Sequence, residues 1–328
     1  MLVDTFGRVA TDLRVSLTDR CNLRCAYCMP AEGLDWLPAP EVLTDDEVVR
    51  LVRVAVGLGV REVRFTGGEP LLRKGLVSIV ERVASLAHAP RTSLTTNGIG
   101  LARLARPLRD AGLDRVNVSL DTLDPARFAE LTKRDRLDDV IAGLAAASAA
   151  GLRPVKVNAL LMRGVNDDEA PALVRWCLDR GYEMRFIEQM PLDAQHGWDR
   201  SQMVTADEIL ALLKSELVLD EEPDELRGSA PAQTWLVDGG PGRVGVIGSV
   251  TRPFCGACDR VRLTADGAVR NCLFARGETD LRTPMRTGAD DTELAELMRA
   301  SLWAKRAGHG IDDPTFLQPV RPMSAIGG

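Results

Sequence analysis

The sequence reads as an α/β protein built on parallel strands, and three observations carry that reading. Short β-rich runs alternate with helix-period segments six times before about residue 215, which implies parallel strands joined by right-handed crossovers. The distinctive polar residues fall at or just after strand ends: TDRC, GGEP, TNG and Asp121. Ligand sites occupy that edge in doubly wound sheets and in curved, partial barrels, and the pattern alone fits either. After about residue 215 short strands follow one another with few helices, which marks an appended module.

The elements follow in chain order. Strands are expected at LRVSL (13–17), EVRFTG (62–67), TSLTTN (92–97), RVNVSL (115–120), VKVNALL (155–161) and EMRFIE (183–188). Helix-period segments occupy 44–58, 73–87, 99–111, 137–150, 167–180 and 205–214. Thr44 followed by Glu47 fits a capping box, Asp167 and Thr205 suit N-caps, and Gly112, Gly151 and Gly181 stand where helices end. QTWLVD (233–238), RVGVIGS (243–249), RVRLTADG (260–267) and AVRNCLF (268–274) read as short strands, with ADG a hairpin turn. A helix over 293–306 and a loose tail, RPMSAIGG, complete the chain. The acidic run DEEPDE suggests a surface linker, so the expected division is 1–220 and 221–328.

With 328 residues the chain exceeds what one hydrophobic core usually serves. A net charge of −6 argues against a nucleic-acid or anionic-membrane surface. The first residues are interrupted by Asp4, Arg8, Asp12 and Arg14, so no signal peptide is expected, and no run is long enough to span a membrane. A cytoplasmic location follows as the expectation, where seven cysteines would hold metal or do chemistry rather than pair.

Cys21, Cys25 and Cys28 form C-x3-C-x2-C in a loop after the first strand. A structural zinc would need a fourth ligand, and none of the three histidines is near in sequence. A redox pair of Cys25 and Cys28 would leave Cys21 without a role. A cubane held by three thiolates keeps one iron open to an exogenous ligand. Zinc, reactive thiols and a cluster all remain open on spacing alone. Cys255, Cys258 and Cys272 form a second triad, C-x2-C-x13-C, which a zinc ribbon completed by His196, His309 or Cys177 would also explain.

The first motif, with Tyr27 before its last cysteine, resembles the radical S-adenosylmethionine superfamily. That resemblance implies a 4Fe–4S cluster on Cys21, Cys25 and Cys28 whose open iron binds S-adenosylmethionine. It further implies cosubstrate contacts at Tyr27, Gly68, Ser119 and Met190. Ordinary packing, a glycine turn or a satisfied hydroxyl would otherwise account for each of the last three.

Arg260 and Arg262 stand two apart on an expected strand, so both project from one face. With Arg14, Arg64, Lys156 and Arg185 they would make a polyanion pocket if the strands bring them together. Nearly end to end, the chain resembles the GTP 3′,8-cyclase family of molybdenum cofactor biosynthesis. The matching pieces are LRVSLTDRCNLRCAYCMP, RFTGGEPLLR, SLTTNG, NVSLD, VKVN, RFIEQMP, FCGACDRVRL, Cys272 and the final Gly327-Gly328. The family implies a partial (βα)6 TIM barrel with a C-terminal module carrying a second 4Fe–4S cluster on Cys255, Cys258 and Cys272. It implies GTP contacts at Arg14, Arg64, Thr95, Lys156, Arg185, Arg260 and Arg262, and it favours a Gly327-Gly328 end that reaches into the pocket beside the arginines over a frayed terminus. The reaction implied joins ribose C3′ to guanine C8, giving 3′,8-cyclo-7,8-dihydro-GTP after the 5′-deoxyadenosyl radical removes the 3′ hydrogen.

Implied partners are a low-potential electron donor such as flavodoxin or ferredoxin and the downstream cyclic pyranopterin monophosphate synthase, with a homodimer an open option. Two other classes stay in view, a radical enzyme acting on a peptide and a non-catalytic iron–sulfur or zinc module. Cys177 reads as a packed thiol.

Overall fold

The computed structural model describes residues 1–327 and forms one sheet of 12 strands. Six parallel strands build its centre: β1 (Asp12–Ser16), β2 (Glu62–Thr66), β3 (Arg91–Thr96), β4 (Arg115–Ser119), β5 (Val155–Leu160) and β6 (Glu183–Ile187). They pair in chain order. The sheet does not close on itself. Instead β7 (Leu219–Glu221), β8 (Gln233–Val237) and β9 (Arg243–Ile247) extend one edge, β9 lying parallel to β6. At the other edge β10 (Arg260–Leu263) lies parallel to β1 and is followed by β11 (Ala268–Arg270) and β12 (Thr279–Asp280). The central strands thus form a partial barrel, flanked on both sides by strands from the last third of the chain.

Strand alternation divides the two faces. Parallel strands buried on both faces usually read as continuous apolar runs; these do not. In β1, Leu13 and Val15 join the apolar layer, whereas Asp12, Arg14 and Ser16 point the other way and are buried too. Val63 and Phe65, Val116 and Val118, Val157 and Ala159, and Met184 and Phe186 continue the apolar layer under the helices. The opposite face is polar and cationic. Register then stacks Arg262, Arg14 and Arg64 at one level of three neighbouring strands, and Asn158 beside Arg185 on two others.

The helices lie outside: α1 (Asp45–Gly57), α2 (Leu76–Ala84), α3 (Leu101–Asp110), α4 (Pro125–Thr132), α5 (Leu137–Ala149), α6 (Ala170–Leu178) and α7 (Ala206–Lys214). Thr44 with Glu47, and Thr205 with Glu208, form reciprocal capping boxes. No described helix is long and apolar enough to cross a membrane.

Several expectations are corrected. Asp167 does not cap α6; it starts a short 3-10 turn and its side chain accepts from the Gly164 amide. Helix α4 was not anticipated, although Asp124 caps it and Pro125 opens it. The acidic stretch after 218 contains the edge strand β7, with Glu222 paired to Arg243, and is not a slack linker. The tail is also structured, since Met323–Ile326 forms a short helix and Ile326 is fully buried.

Glu188 ties the barrel to the later segment. Fully buried, it accepts from the backbone N–H of Ala206 (2.7 Å), Val250 (2.7 Å) and Thr251 (2.9 Å), and from the Thr251 hydroxyl. Three amides and a hydroxyl would lose their acceptor together in a Glu188→Ala variant. An unsatisfied buried donor costs about 1–3 kcal/mol, so the variant should lose roughly 4 kcal/mol of stability, read as a lower midpoint in denaturant.

Candidate active site

Two adjoining cavities open on the C-terminal side of the barrel strands, of 150 and 190 Å³. The first is lined by the cysteine loop after β1. Backbone bonds from Arg24 to Thr132 and from Ala26 to Leu131, each 2.9 Å, fasten that loop to the end of α4. The Tyr27 hydroxyl donates to Asp121 at 2.7 Å, and Asp121 also accepts from the Leu160 amide at 2.9 Å. Burial raises the Asp121 carboxyl to about 6. Glu69 of the GGEP loop is fully buried and accepts from Leu71, Thr96 and Asn97, while Asn97 donates to Asn22. Three strand-end loops are thereby locked to one another.

Gly67 and Gly68 have a steric reason of their own. A Cβ on either would collide with backbone oxygens of Thr18, Asp19 or Arg20, so the pair lets GGEP lie directly against the cysteine loop. Cys21, Cys25 and Cys28 all line this cavity. Burial pushes all three thiols up, Cys28 to about 12, with neighbouring thiols adding to the shift for Cys25 and Cys28. Thiolates so disfavoured alone are stabilised by a metal group that takes the proton's place. Three cysteines at one cavity, beside a glycine-lined loop, fit the 4Fe–4S cluster with an open iron.

The second cavity holds Arg14, Arg64, Arg185, Arg260 and Arg262 together with Cys255, Cys258 and Cys272. Burial opposes ionisation of the Asp12 carboxyl, but Arg14, Arg64, Arg260 and Arg262 together hold its pKa below the usual value. Burial and then the neighbouring Arg64 and Arg262 lower Arg14 strongly, and burial brings Arg185 and Arg262 to about 10. Arg14 Nε, Arg64 Nε and Asn158 Oδ1 are buried without a hydrogen-bond partner. Buried polar groups are almost always paired, so this lumen has the chemistry of a site whose ligand is polyanionic.

Cys272 lies in a loop held by Arg270, which is 1 % exposed, pairs with Glu278 and donates to the Ala275 carbonyl. Arg260 donates to the Ser229 carbonyl and stacks over Phe254 at 5.1 Å. Beyond the triad an outer recess of 680 Å³ shares Asn271, Cys272, Phe274 and His309 with the inner cavity. Among the described residues no His, Cys, Asp and Glu group closes around a single metal ion; a cubane instead seats each thiolate on its own iron. Three thiols beside the lumen fit such a group.

The C-terminal tail lies between the two cavities. Met323 and Thr95 line both. The Ser324 amide contacts the Cys28 sulfur, and Arg262 donates to the Gly327 carbonyl. A Cβ at Gly327 would lie 2.5 Å from Thr66 Cγ2 and 2.6 Å from Ser16 Oγ, with φ at +74°. Gly328, named with it from the sequence, lies outside the described residues.

Of the residues singled out, Tyr27, Gly68 and Ser119 join the first cavity, Met190 joins the second, and Thr95 borders both. Lys156 lines neither. It bonds Glu183 at 2.9 Å, with burial and then Arg185 lowering it to about 8. Cys177 is fully buried in α6 against Met184. His309, a candidate zinc ligand, lines both the inner cavity and the outer recess, and its Nδ1 accepts from the Ile311 amide. Sequence reading missed Asn158, Asn271, Met323 and Lys305. Asn158 could have been found from its place one strand alternation beyond Lys156; the other three carried no local signal.

A barrel whose first loop presents three cysteines defines a radical S-adenosylmethionine protein, and residues 15–177 match the Radical SAM superfamily model. Residues 182–311 match the model Molybdenum Cofactor Synthesis C. A Streptomyces coelicolor protein named GTP 3′,8-cyclase is 68% identical over all of this chain and 96% of its own length. A Mycolicibacterium smegmatis protein of that name is 60% identical over all of this chain and 92% of its own. The chain belongs to the GTP 3′,8-cyclase family of radical S-adenosylmethionine enzymes. In fold it is similar to Streptococcus suis SuiB bound to S-adenosylmethionine, with TM-score 0.60 and 14% identity over 89% of this chain and 68% of the other. The structure of anSMEcpe with bound AdoMet gives 0.58 and 14% over 91% and 78%.

Proposed function

We propose that this enzyme cyclises GTP to 3′,8-cyclo-7,8-dihydro-GTP, the first step of molybdopterin formation. One observation carries the proposal: five arginines, three buried and two half-buried and several with unpaired nitrogens, share a cavity with the second cysteine triad and adjoin the first. A triphosphate carries about four negative charges, and each close pair with a guanidinium gains on the order of 4 kcal/mol before desolvation is subtracted. The arginines thus anchor the nucleotide, while Thr95 and Met323 border the passage between the cavities. When bound, the first cluster and S-adenosylmethionine supply the 5′-deoxyadenosyl radical that the non-acidic ribose 3′ hydrogen requires. The chain's own work is to hold C3′ and C8 in attacking geometry and to exclude water.

Tyr27, Gly68, Ser119 and Met190 are assigned to S-adenosylmethionine, and Cys255, Cys258 and Cys272 to a second 4Fe–4S cluster that engages the base. Lys156 is assigned to the phosphates, a role that asks it to leave Glu183. Residues 1–220 are assigned as the radical S-adenosylmethionine barrel and 221–328 as the iron–sulfur and substrate-binding module, with arginines from both facing the nucleotide. A flavodoxin or ferredoxin supplies the electron, cyclic pyranopterin monophosphate synthase takes the product, and the enzyme works in the cytoplasm, with a homodimer the oligomer to test.

Arg185→Ala and Arg260→Ala decide the matter. Each should weaken GTP binding at least about tenfold, the loss of a charge-assisted contact, with iron content near the parent's. Normal binding and cyclisation in both would overturn the polyanion assignment.

A further inference from the structure

The sulfurs of the two cysteine triads meet different neighbours. Around the first triad, the hydrogen-bonding neighbours are neutral: the Leu23 amide lies 3.5 Å and the Asn97 side-chain amide 3.9 Å from the Cys21 sulfur, and the Ser324 amide contacts Cys28. Around the second, Cys258 has two cations. Arg260 Nη1 lies 3.6 Å from its sulfur and Lys305 Nζ 3.4 Å.

Lys305 is the unusual member. It is 4 % exposed, and among the described residues it forms no ion pair with a carboxylate. An ammonium has three N–H donors, and the structure gives Nζ three acceptors. These are the Cys258 carbonyl at 3.1 Å, the Arg260 carbonyl at 2.9 Å and the Cys258 sulfur. Lysines are rarely buried unless paired. Of its three acceptors only the Cys258 sulfur can carry a negative charge. Carbonyl bridging would be served by a neutral donor; the third bond and the charge call for another explanation.

We propose that Lys305 is a positioning residue that sets the reduction potential of the second cluster, through an N–H···S bond to Cys258 and a buried positive charge beside it. The inference rests on the proposal that this triad carries a 4Fe–4S cluster. Hydrogen bonds to sulfur and net charge are principal determinants of such potentials. A fixed cation favours the more negative, reduced form, so Lys305 makes the second cluster easier to reduce than it would be without that charge. Lys305 sits just beyond the helix Asp291–Trp303, its amide bonded to the Leu302 carbonyl, which fixes where its side chain begins.

The test uses the full chain with Cys21, Cys25 and Cys28 all changed to alanine, reconstituted anaerobically so that only the second triad can hold iron. Iron and sulfide are quantified, and the one-electron couple is titrated with dithionite and mediators, the reduced form being read by electron paramagnetic resonance. Lys305→Met should lower the reduced-to-oxidised ratio at fixed potential about tenfold, equivalent to about 59 mV for one electron. Lys305→Gln, which keeps a donor without the charge, should fall between. An unchanged or higher ratio in a loaded Lys305→Met protein overturns the proposal. If that variant does not load, Lys305→Gln decides by the same criterion. Failure of both to load while the background loads makes Lys305 a builder of the site and overturns the tuning role. Failure of the background itself to hold iron removes the second cluster, a distinct result that takes this proposal with it.

Discussion

Cys25→Ala is expected to abolish reductive cleavage of S-adenosylmethionine, with and without GTP. Loss of an outer partner of a metal ligand typically costs 10–100-fold, so removing the ligand itself should exceed about 100-fold. The thiol lies in the cavity with Cys21 and Cys28, where burial, then Asp121 and the neighbouring thiols, oppose its ionisation. Release of 5′-deoxyadenosine, followed anaerobically in reduced, iron-loaded protein, provides the measurement. Cys272→Ser should behave differently, keeping some uncoupled cleavage while cyclisation collapses, because Cys272 lines the arginine cavity. Full cyclisation in that variant would sink the two-cluster assignment. Cys177→Ala is the control, since its thiol is pushed by burial to about 12 inside the apolar layer and should be chemically inert.

Deleting Gly327 and Gly328 should depress cyclisation about 100-fold, the scale expected when reacting groups are misplaced by about an ångström. Iron content and thermal midpoint should stay near the parent's. Removing Gly327 deprives Arg262 of the nearer of its two carbonyl partners, leaving Ile326 at 3.5 Å, and opens the space between Ser16 and Thr66. Gly327→Ala gives a sharper version, because its Cβ would collide with both side chains at a backbone angle that disfavours any Cβ. Product formation measured against 5′-deoxyadenosine release would separate misplacement from loss of radical chemistry. Unchanged cyclisation in both variants would return the tail to a passive plug.

The parallel strands were legible because each carries its own evidence, whereas their closing into a partial barrel rested on the family resemblance. A residue's place in a period-2 pattern fixes its face, so LRVSL, EVRFTG and VKVNALL each announced one apolar and one polar side. The capping boxes at Thr44 and Thr205 were equally local, a hydroxyl and a carboxylate three residues apart. Helix α4 escaped notice because eight residues offer little periodicity, even with Asp124 and Pro125 marking its start. The acidic run before residue 226 was misread because an edge strand tolerates charge on its exposed side, which composition cannot distinguish from a linker.

By itself the sequence determined the alternation of strands and helices, the two cysteine triads and the shared face from which Arg260 and Arg262 project, all properties of neighbours along the chain. Convergence belonged to the tertiary structure. Arg14, Arg64 and Arg262 meet because β10 returns from the far end of the chain to pair with β1, and Lys156 is drawn instead to Glu183 on the next strand. The placing of Lys305 at Cys258, and of Gly327 between Ser16 and Thr66, depends on contacts across 47 residues in the first case and most of the chain in the second. Such pairings leave no periodic trace in sequence, because what selects them is the burial of charge and backbone at a distance.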